Sequence, residues 1–187
     1  VTFFLKKGFT NMSWLPTSKK ELEDHQYIDA VVLPRTSDIG NFEVHRALPS
    51  KERQMVGPFI FWDQMGPGEF LSGSGLDVRP HPHIGLSTIT YLFKGTMDHK
   101  DSLGNDVRIA PGDINLMSAG GGIVHSERTG EDIRQLPSEL FGIQSWIAQP
   151  KKYEESKPSF QNISSNEITK IDSGGVNGKV LFGELDG

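Results

Sequence analysis

Two segments of this chain, Arg79-Pro80-His81-Pro82-His83 and Gly122-Ile123-Val124-His125-Ser126-Glu127, each offer two metal-ligating side chains at spacing i, i+2. Alternate side chains of a β-strand share a face, so His81 and His83 project together, as do His125 and Glu127. If the two strands face each other across a barrel, three imidazoles and one carboxylate meet at one point. Such a set binds a divalent transition metal and can leave coordination positions open for small molecules. Nitrogen and oxygen are the only donors on offer. The 187 residues include no cysteine, which excludes thiolate sites, disulfides and cysteine nucleophiles and fits a reducing compartment.

The elements that must position these residues read as strands. The 21 glycines and 11 prolines are spread along the chain, so turns recur at short intervals. Between them lie short runs rich in β-branched and aromatic residues: 27–33, 59–62, 86–93, 106–109, 113–117, 141–148 and 179–182. Short strands with regular turn signals predict an all-β sandwich or barrel. Ser102-Leu103-Gly104-Asn105 predicts a hairpin between 97–101 and 106–109, and Ala110-Pro111-Gly112-Asp113 a second tight turn. Two hairpins in succession beside the ligand strands suit a jelly roll. The one helical candidate is 17–26, with Ser18 as its cap.

A chain of this length buries roughly 70% of its unfolded surface and needs no metal merely to fold. Its net charge of −5, from 24 acidic and 19 basic residues, argues against direct nucleic-acid binding. The doublets Lys6-Lys7, Lys19-Lys20 and Lys151-Lys152 read as solvated surface. The apolar run Val1–Leu5 is too short for a signal segment or a membrane span. Met12 reads as a natural start, with residues 1–11 as an upstream extension. The expectation is a soluble, cytoplasmic protein without membrane contact.

Over 28–160 the sequence resembles the pirin family of the cupin superfamily. Gly75, five residues, His81-x-His83 and then Gly95 match the first cupin motif. That motif usually carries a glutamate four or five residues after its second histidine. Here those positions hold Ser87 and Thr88, and a carboxylate occurs instead at Glu127, a relocation characteristic of pirins. The match continues through His81-Pro82-His83-Ile84-Gly85-Leu86, Tyr91-Leu92-Phe93-x-Gly95, His99-x-Asp101-Ser102-Leu103-Gly104, Pro111-Gly112-Asp113 and Leu140-Phe141-Gly142-Ile143-Gln144-x-Trp146. The fold implied is a double-stranded β-helix of the cupin type, and His81, His83, His125 and Glu127 would hold Fe(II) in it. The ligand types themselves suit manganese, cobalt, nickel, copper and zinc as well. The chain departs from the family pattern at Gly121, where many pirins have arginine, and at Leu116, a common tryptophan position. Only the first strands of the family's usual second barrel are seen. The expected division is a lead-in over 1–27, the metal-binding barrel over 28–148, a polar, proline-bounded linker over 149–162, and the start of an incomplete second barrel over 163–187.

The resemblance implies Fe(II)-dependent dioxygenase chemistry on a flavonol-like phenol, as in quercetin 2,3-dioxygenase. Glu127, loosened from the metal, is the best placed base for the substrate hydroxyl, hence the one catalytic residue expected. Two other readings stand beside it. One is a metal- or redox-dependent regulator that binds a transcription factor or metabolic enzyme without turnover. The other is an inert structural metal barrel. Apolar surface normally covered by a partner barrel would favour self-association.

Among the remaining residues, His99 reads as a hairpin residue with a polar partner; the other reading is a proton-handling group behind the ligands. His25 and His45 read as solvent-facing. Phe59, Phe61, Trp62 and Met65 serve either the barrel core or a pocket mouth for a flat phenol. Gly120-Gly121-Gly122 lacks the lysine and hydroxyl residue of a phosphate loop and reads as room for close backbone passage. No serine stands in a nucleophile elbow, so a hydrolase triad has no support.

Overall fold

A computed structural model describes residues 31–39 and 41–183. Their contacts define one unit over Val32–Glu167 and a second that takes in the described residues from Ile168 onward. In the first, β1 (Arg35–Asp38), β2 (Glu43–Leu48), β3 (Phe59–Phe70), β5 (Leu86–Lys94), β8 (Ile114–Ser118), β10 (Ser138–Ala148) and β11 (Ser159–Ile163) form a sheet in the order β1-β2-β3-β10-β5-β8-β11. A smaller sheet has the order β4-β9-β6-β7, from β4 (Asp77–His83), β6 (Met97–Asp101), β7 (Asp106–Ile109) and β9 (Ile123–Arg128). One short helix, α1 (Glu131–Arg134), joins β9 to β10. The second unit shows the antiparallel hairpin β12 (Lys170–Ser173) and β13 (Val176–Lys179). The chain is thus all-β, as the cupin-type expectation required.

Alternation builds the interior. Along β3, Phe61, Asp63 and Met65 are buried while the residues between them are partly exposed. β5 lies inside the large sheet, paired with β10 on one side and β8 on the other, and Ser87 through Leu92 are all buried. Val44, Met65, Leu92 and Leu140 of the large sheet meet Met97 and Ile109 of the small one in a single apolar cluster. Each such side chain contributes roughly 1.5–3 kcal/mol through burial, and together they hold the sheets face to face.

Both ligand segments lie in the small sheet. β4 is one of its two edge strands, which is where a segment with two prolines has to sit, because neither Pro80 nor Pro82 can donate to a ladder. The pairing of β4 with β9 slips between Val78 and His81, at Arg79 and Pro80, and resumes at His81↔His125.

Expected and observed elements differ where tertiary pairing outweighs local signals. β6 and β7 occupy 97–101 and 106–109 as expected, joined by the predicted turn, where Gly104 donates to the Asp101 carbonyl at 3.1 Å. β3 runs past residue 62 through Gly66-Pro67-Gly68 because β2 and β10 pair with it from both sides. The polar strands β1 and β2 carried no strand signal. In the second unit the strands fall at 170–173 and 176–179, and the run expected at 179–182 contributes only its first residue. The stretch read as a linker holds a 3-10 turn at Lys151–Tyr153, and its last residues form β11, so the large sheet extends beyond residue 148 to Ile163. Phe160 explains why: it packs on Met117, Ala119 and Ile123 and covers an edge of β8. The expected helix at 17–26, the lead-in over 1–27 and His25 lie outside the described residues.

The glycine run before β9 does permit a close backbone passage, and the segment that passes is 155–157. Gly120 has φ +51°, and a Cβ there would fall on the Ser156 carbonyl, whose oxygen accepts the Gly121 N–H at 2.9 Å. Gly120→Ala is therefore expected to destabilise the protein by roughly 2–4 kcal/mol through strain and a lost contact. Denaturant melts should show a lower midpoint at unchanged slope.

Candidate metal centre

His81 and His125 are direct cross-strand partners, so the ligand strands are neighbours in one sheet and do not face each other across the barrel. Cross-strand pairs stand close, and the i, i+2 repeat adds His83 on the same face. The ring centroids are 4.4 Å apart for His81 and His125, and 4.9 Å for His83 with each of the other two. One ring nitrogen from each of the three lies within 4.8 Å of the others. These three side chains form a site able to hold a metal ion.

The ring nitrogens are set by their partners. His81 Nδ1 lies 2.9 Å from the Arg79 carbonyl; a carbonyl only accepts, so Nδ1 carries the proton and Nε2 keeps its lone pair. His125 is 2% exposed, and its Nε2 is buried with no hydrogen-bond partner. A buried polar atom left unpaired costs about 1–3 kcal/mol unless something bonds to it. A cation at the triad would satisfy it, and the fit of donor set to metal rests on that atom. Burial, aided by the neighbouring imidazoles, pushes His125 down to about 3 and His83 down to about 4, so both rings are neutral ligands at pH 7.

Glu127 falls outside the histidine triad but lines the same cavity as His81. It is 4% exposed, and burial pushes its carboxyl up to about 7, opposed by Gln144 Nε2, which donates to Oε1 at 2.7 Å. The cavity measures about 190 Å³. Its wall is layered: Trp146 stacks on Phe61 at 4.0 Å, and the Arg46 guanidinium lies over Phe61 at 4.4 Å. Asp63 fixes Arg46 through two hydrogen bonds of 2.8 Å. Of the four aromatic or sulfur residues singled out on β3, Phe61 and Met65 reach the cavity, while Phe59 packs edge-on against Trp62. Arg46 was not singled out, and Asp63, Gln144 and Trp146 stand in family motifs without an assigned role; the period-2 repeats Val44/Arg46 and Gln144/Trp146 on strands are the signal that groups them at the cavity.

His99 has the polar partner expected of it. Its Nε2 lies 3.1 Å from Asp101 Oδ2, and its Nδ1 lies 3.4 Å from His125 Nδ1. Phe160 of β11 stacks on the ring at 4.4 Å. Burial lowers the His99 pKa against the pull of Asp101, so their contact is a hydrogen bond to a neutral ring. His45 is exposed, as expected.

Residues 41–147 match the family model described as Pirin. A pirin-like protein of Caulobacter vibrioides is 47% identical over 86% of this chain and 56% of its own length. A Pseudomonas aeruginosa protein provisionally named quercetin 2,3-dioxygenase is 39% identical over 92% of this chain and 53% of its own. The crystal structure of a quercetin 2,3-dioxygenase from Acinetobacter baumannii superposes with a TM-score of 0.75 at 39% identity, covering 81% of this chain and 49% of that one. The chain spans about half the length of the curated relatives it matches.

Proposed function

Because this chain belongs to the pirin family, we propose that it is an Fe(II)-dependent dioxygenase acting on small phenols of the flavonol type, with His81, His83, His125 and Glu127 as the metal ligands. The observation that carries this reading is a histidine triad whose His81 lines an aromatic-walled cavity together with the buried carboxyl of Glu127. A divalent ion held there supplies Lewis-acid polarisation of a substrate oxygen and a meeting point for phenol and dioxygen. Glu127 accepts the hydroxyl proton at Oε2, since Oε1 is already engaged by Gln144. The Phe61–Trp146 stack gives a flat apolar wall and helps keep bulk water from the site. A cavity of about 190 Å³ is smaller than the ~300–1,000 Å³ of sites that enclose drug-sized ligands, so it takes one phenolic ring and leaves the rest of a larger substrate at the mouth. Anaerobic loading with Fe(II), followed by quercetin and oxygen, should give decay of flavonol absorbance. Metal-loaded protein that leaves quercetin intact would remove this function.

Membership of Glu127 in the ligand set has its own signature. In metal-free protein His83 and His125 are already neutral near pH 7, whereas Glu127, pushed up to about 7, is partly protonated. A carboxylate recruited to the ion therefore releases about half a proton at pH 7, close to one at pH 6 and little at pH 8. Affinity should rise with pH, by nearly tenfold per unit below about 7. Calorimetry in two buffers of different ionisation enthalpy measures the release. A value that Glu127→Gln leaves unchanged would take the carboxylate out of the set.

A further inference from the structure

The β6–β7 hairpin contains a hydrogen-bonded chain that ends on Nδ1 of His125, across the ring from its orphaned Nε2. Asp101 begins it. Its Oδ1 accepts backbone N–H groups from Leu103 at 2.9 Å and Asn105 at 3.1 Å, and Asn105 Nδ2 donates to Oδ2 at 2.9 Å. These donors keep the carboxyl below its ordinary range despite the opposing effect of burial, so the group is an anion that only accepts. His99 Nε2, 3.1 Å away, must then be the protonated nitrogen of its ring. That leaves His99 Nδ1 with a lone pair, facing His125 Nδ1 at 3.4 Å. Only one of two facing nitrogens can donate, so the proton between them sits on His125.

We infer that Asp101 and His99 form a relay that fixes His125 in its Nδ1–H tautomer, presenting the Nε2 lone pair to the metal. His99 and Asp101 are positioning residues: they act through His125 and touch neither ion nor substrate. Phe160 holds the His99 ring by stacking, and the 3% exposure of His99 keeps water from replacing Asp101 as its acceptor. A free neutral imidazole has no such constraint, and a proton on His125 Nε2 would block that nitrogen as a ligand. The relay rests on the metal-site reading above only for its purpose; the tautomer itself is a property of the metal-free protein.

The test is therefore made first without metal. Long-range proton–nitrogen correlation spectra of histidine-labelled protein should show His125 protonated on Nδ1 and bare on Nε2. In His99→Phe, which keeps a ring for Phe160 to stack on, the His125 proton should move to Nε2. In Asp101→Asn the same shift should appear in part. Zn²⁺ affinity, read by chelator competition, should fall about 10–100-fold in both variants, the usual consequence of losing a ligand's outer hydrogen-bond partner. His125 protonated on Nε2 in the unsubstituted protein would overturn the relay, with no variant needed. So would variants that keep both the original tautomer and the original Zn²⁺ affinity, because a purely structural role would lower melting temperature and leave the tautomer alone. An unsubstituted protein that shows the Nδ1–H form yet binds no Zn²⁺ would refute the metal centre and leave the relay standing.

Discussion

Replacing His81 by alanine is expected to lower divalent-metal affinity by more than the roughly 100-fold that loss of an outer hydrogen-bond partner can cost. His81 is the informative ligand to remove because it is the least buried of the three. Its ring is anchored by one bond to the Arg79 carbonyl, so truncation opens no deep cavity and the metal-free variant should melt close to the unsubstituted protein. His125 is almost wholly buried among His81, His83 and His99, and its removal would mix metal loss with a packing defect. The readout is thermal shift against metal concentration. A ligand present at a hundred times its dissociation constant stabilises by about 2.7 kcal/mol. The unsubstituted protein should show that rise and His81→Ala should show less than about 0.4 kcal/mol over the same range. A variant that still shows the full rise at the same concentrations would mean that the ion sits elsewhere.

Glu127→Gln carries the second large effect. The amide is nearly isosteric, and its oxygen can still accept from Gln144, so the cavity keeps its shape. The variant loses the ability to take a proton, and a positioned base contributes about 10²–10⁴-fold in rate. Flavonol turnover should fall by that factor while the three imidazoles retain the ion. Metal-loaded Glu127→Gln with turnover close to that of the unsubstituted protein would exclude the carboxylate as base. Stability offers a separate check. The folded pKa of Glu127 is raised to about 7, so its burial costs nothing below the unfolded carboxyl value and costs progressively more as pH rises from there through about 7. Metal-free Glu127→Gln should therefore gain stability over the unsubstituted protein on going from pH 4.5 to pH 8.

Much of this site is legible in the residues because strand periodicity and metal chemistry make the same demand. His81, His83 and His125 are marked by a period-2 spacing that puts them on one face, and the structure brings their ring nitrogens together. Sequence could not say that the two strands are neighbours, since register between segments some forty residues apart is a tertiary property. The roles of Arg46, Asp63 and Gln144 remained hidden for a related reason: each is an ordinary polar residue that acquires meaning from a partner on another strand. β11 was missed because Gln149-Pro150-Lys151-Lys152 reads as a connector, whereas a single aromatic, Phe160, decides that the chain returns to the sheet. Of the two readings of His99, the hydrogen bond to Asp101 satisfies one and the approach to His125 opens the other.

The position of β4 has a further consequence. It is an edge strand of its sheet, and two prolines and a slipped register interrupt its pairing with β9. An ion shared between His81 and His83 on that strand and His125 on the next acts as a rivet across the slipped seam of the small sheet. Amide exchange should record it: the backbone N–H of His125, the cross-strand partner of His81, should exchange readily in metal-free protein and slow sharply on loading, while those of β5 in the large sheet stay unchanged. Occupancy of the site then becomes a mechanical state of one margin of the fold, visible without any substrate.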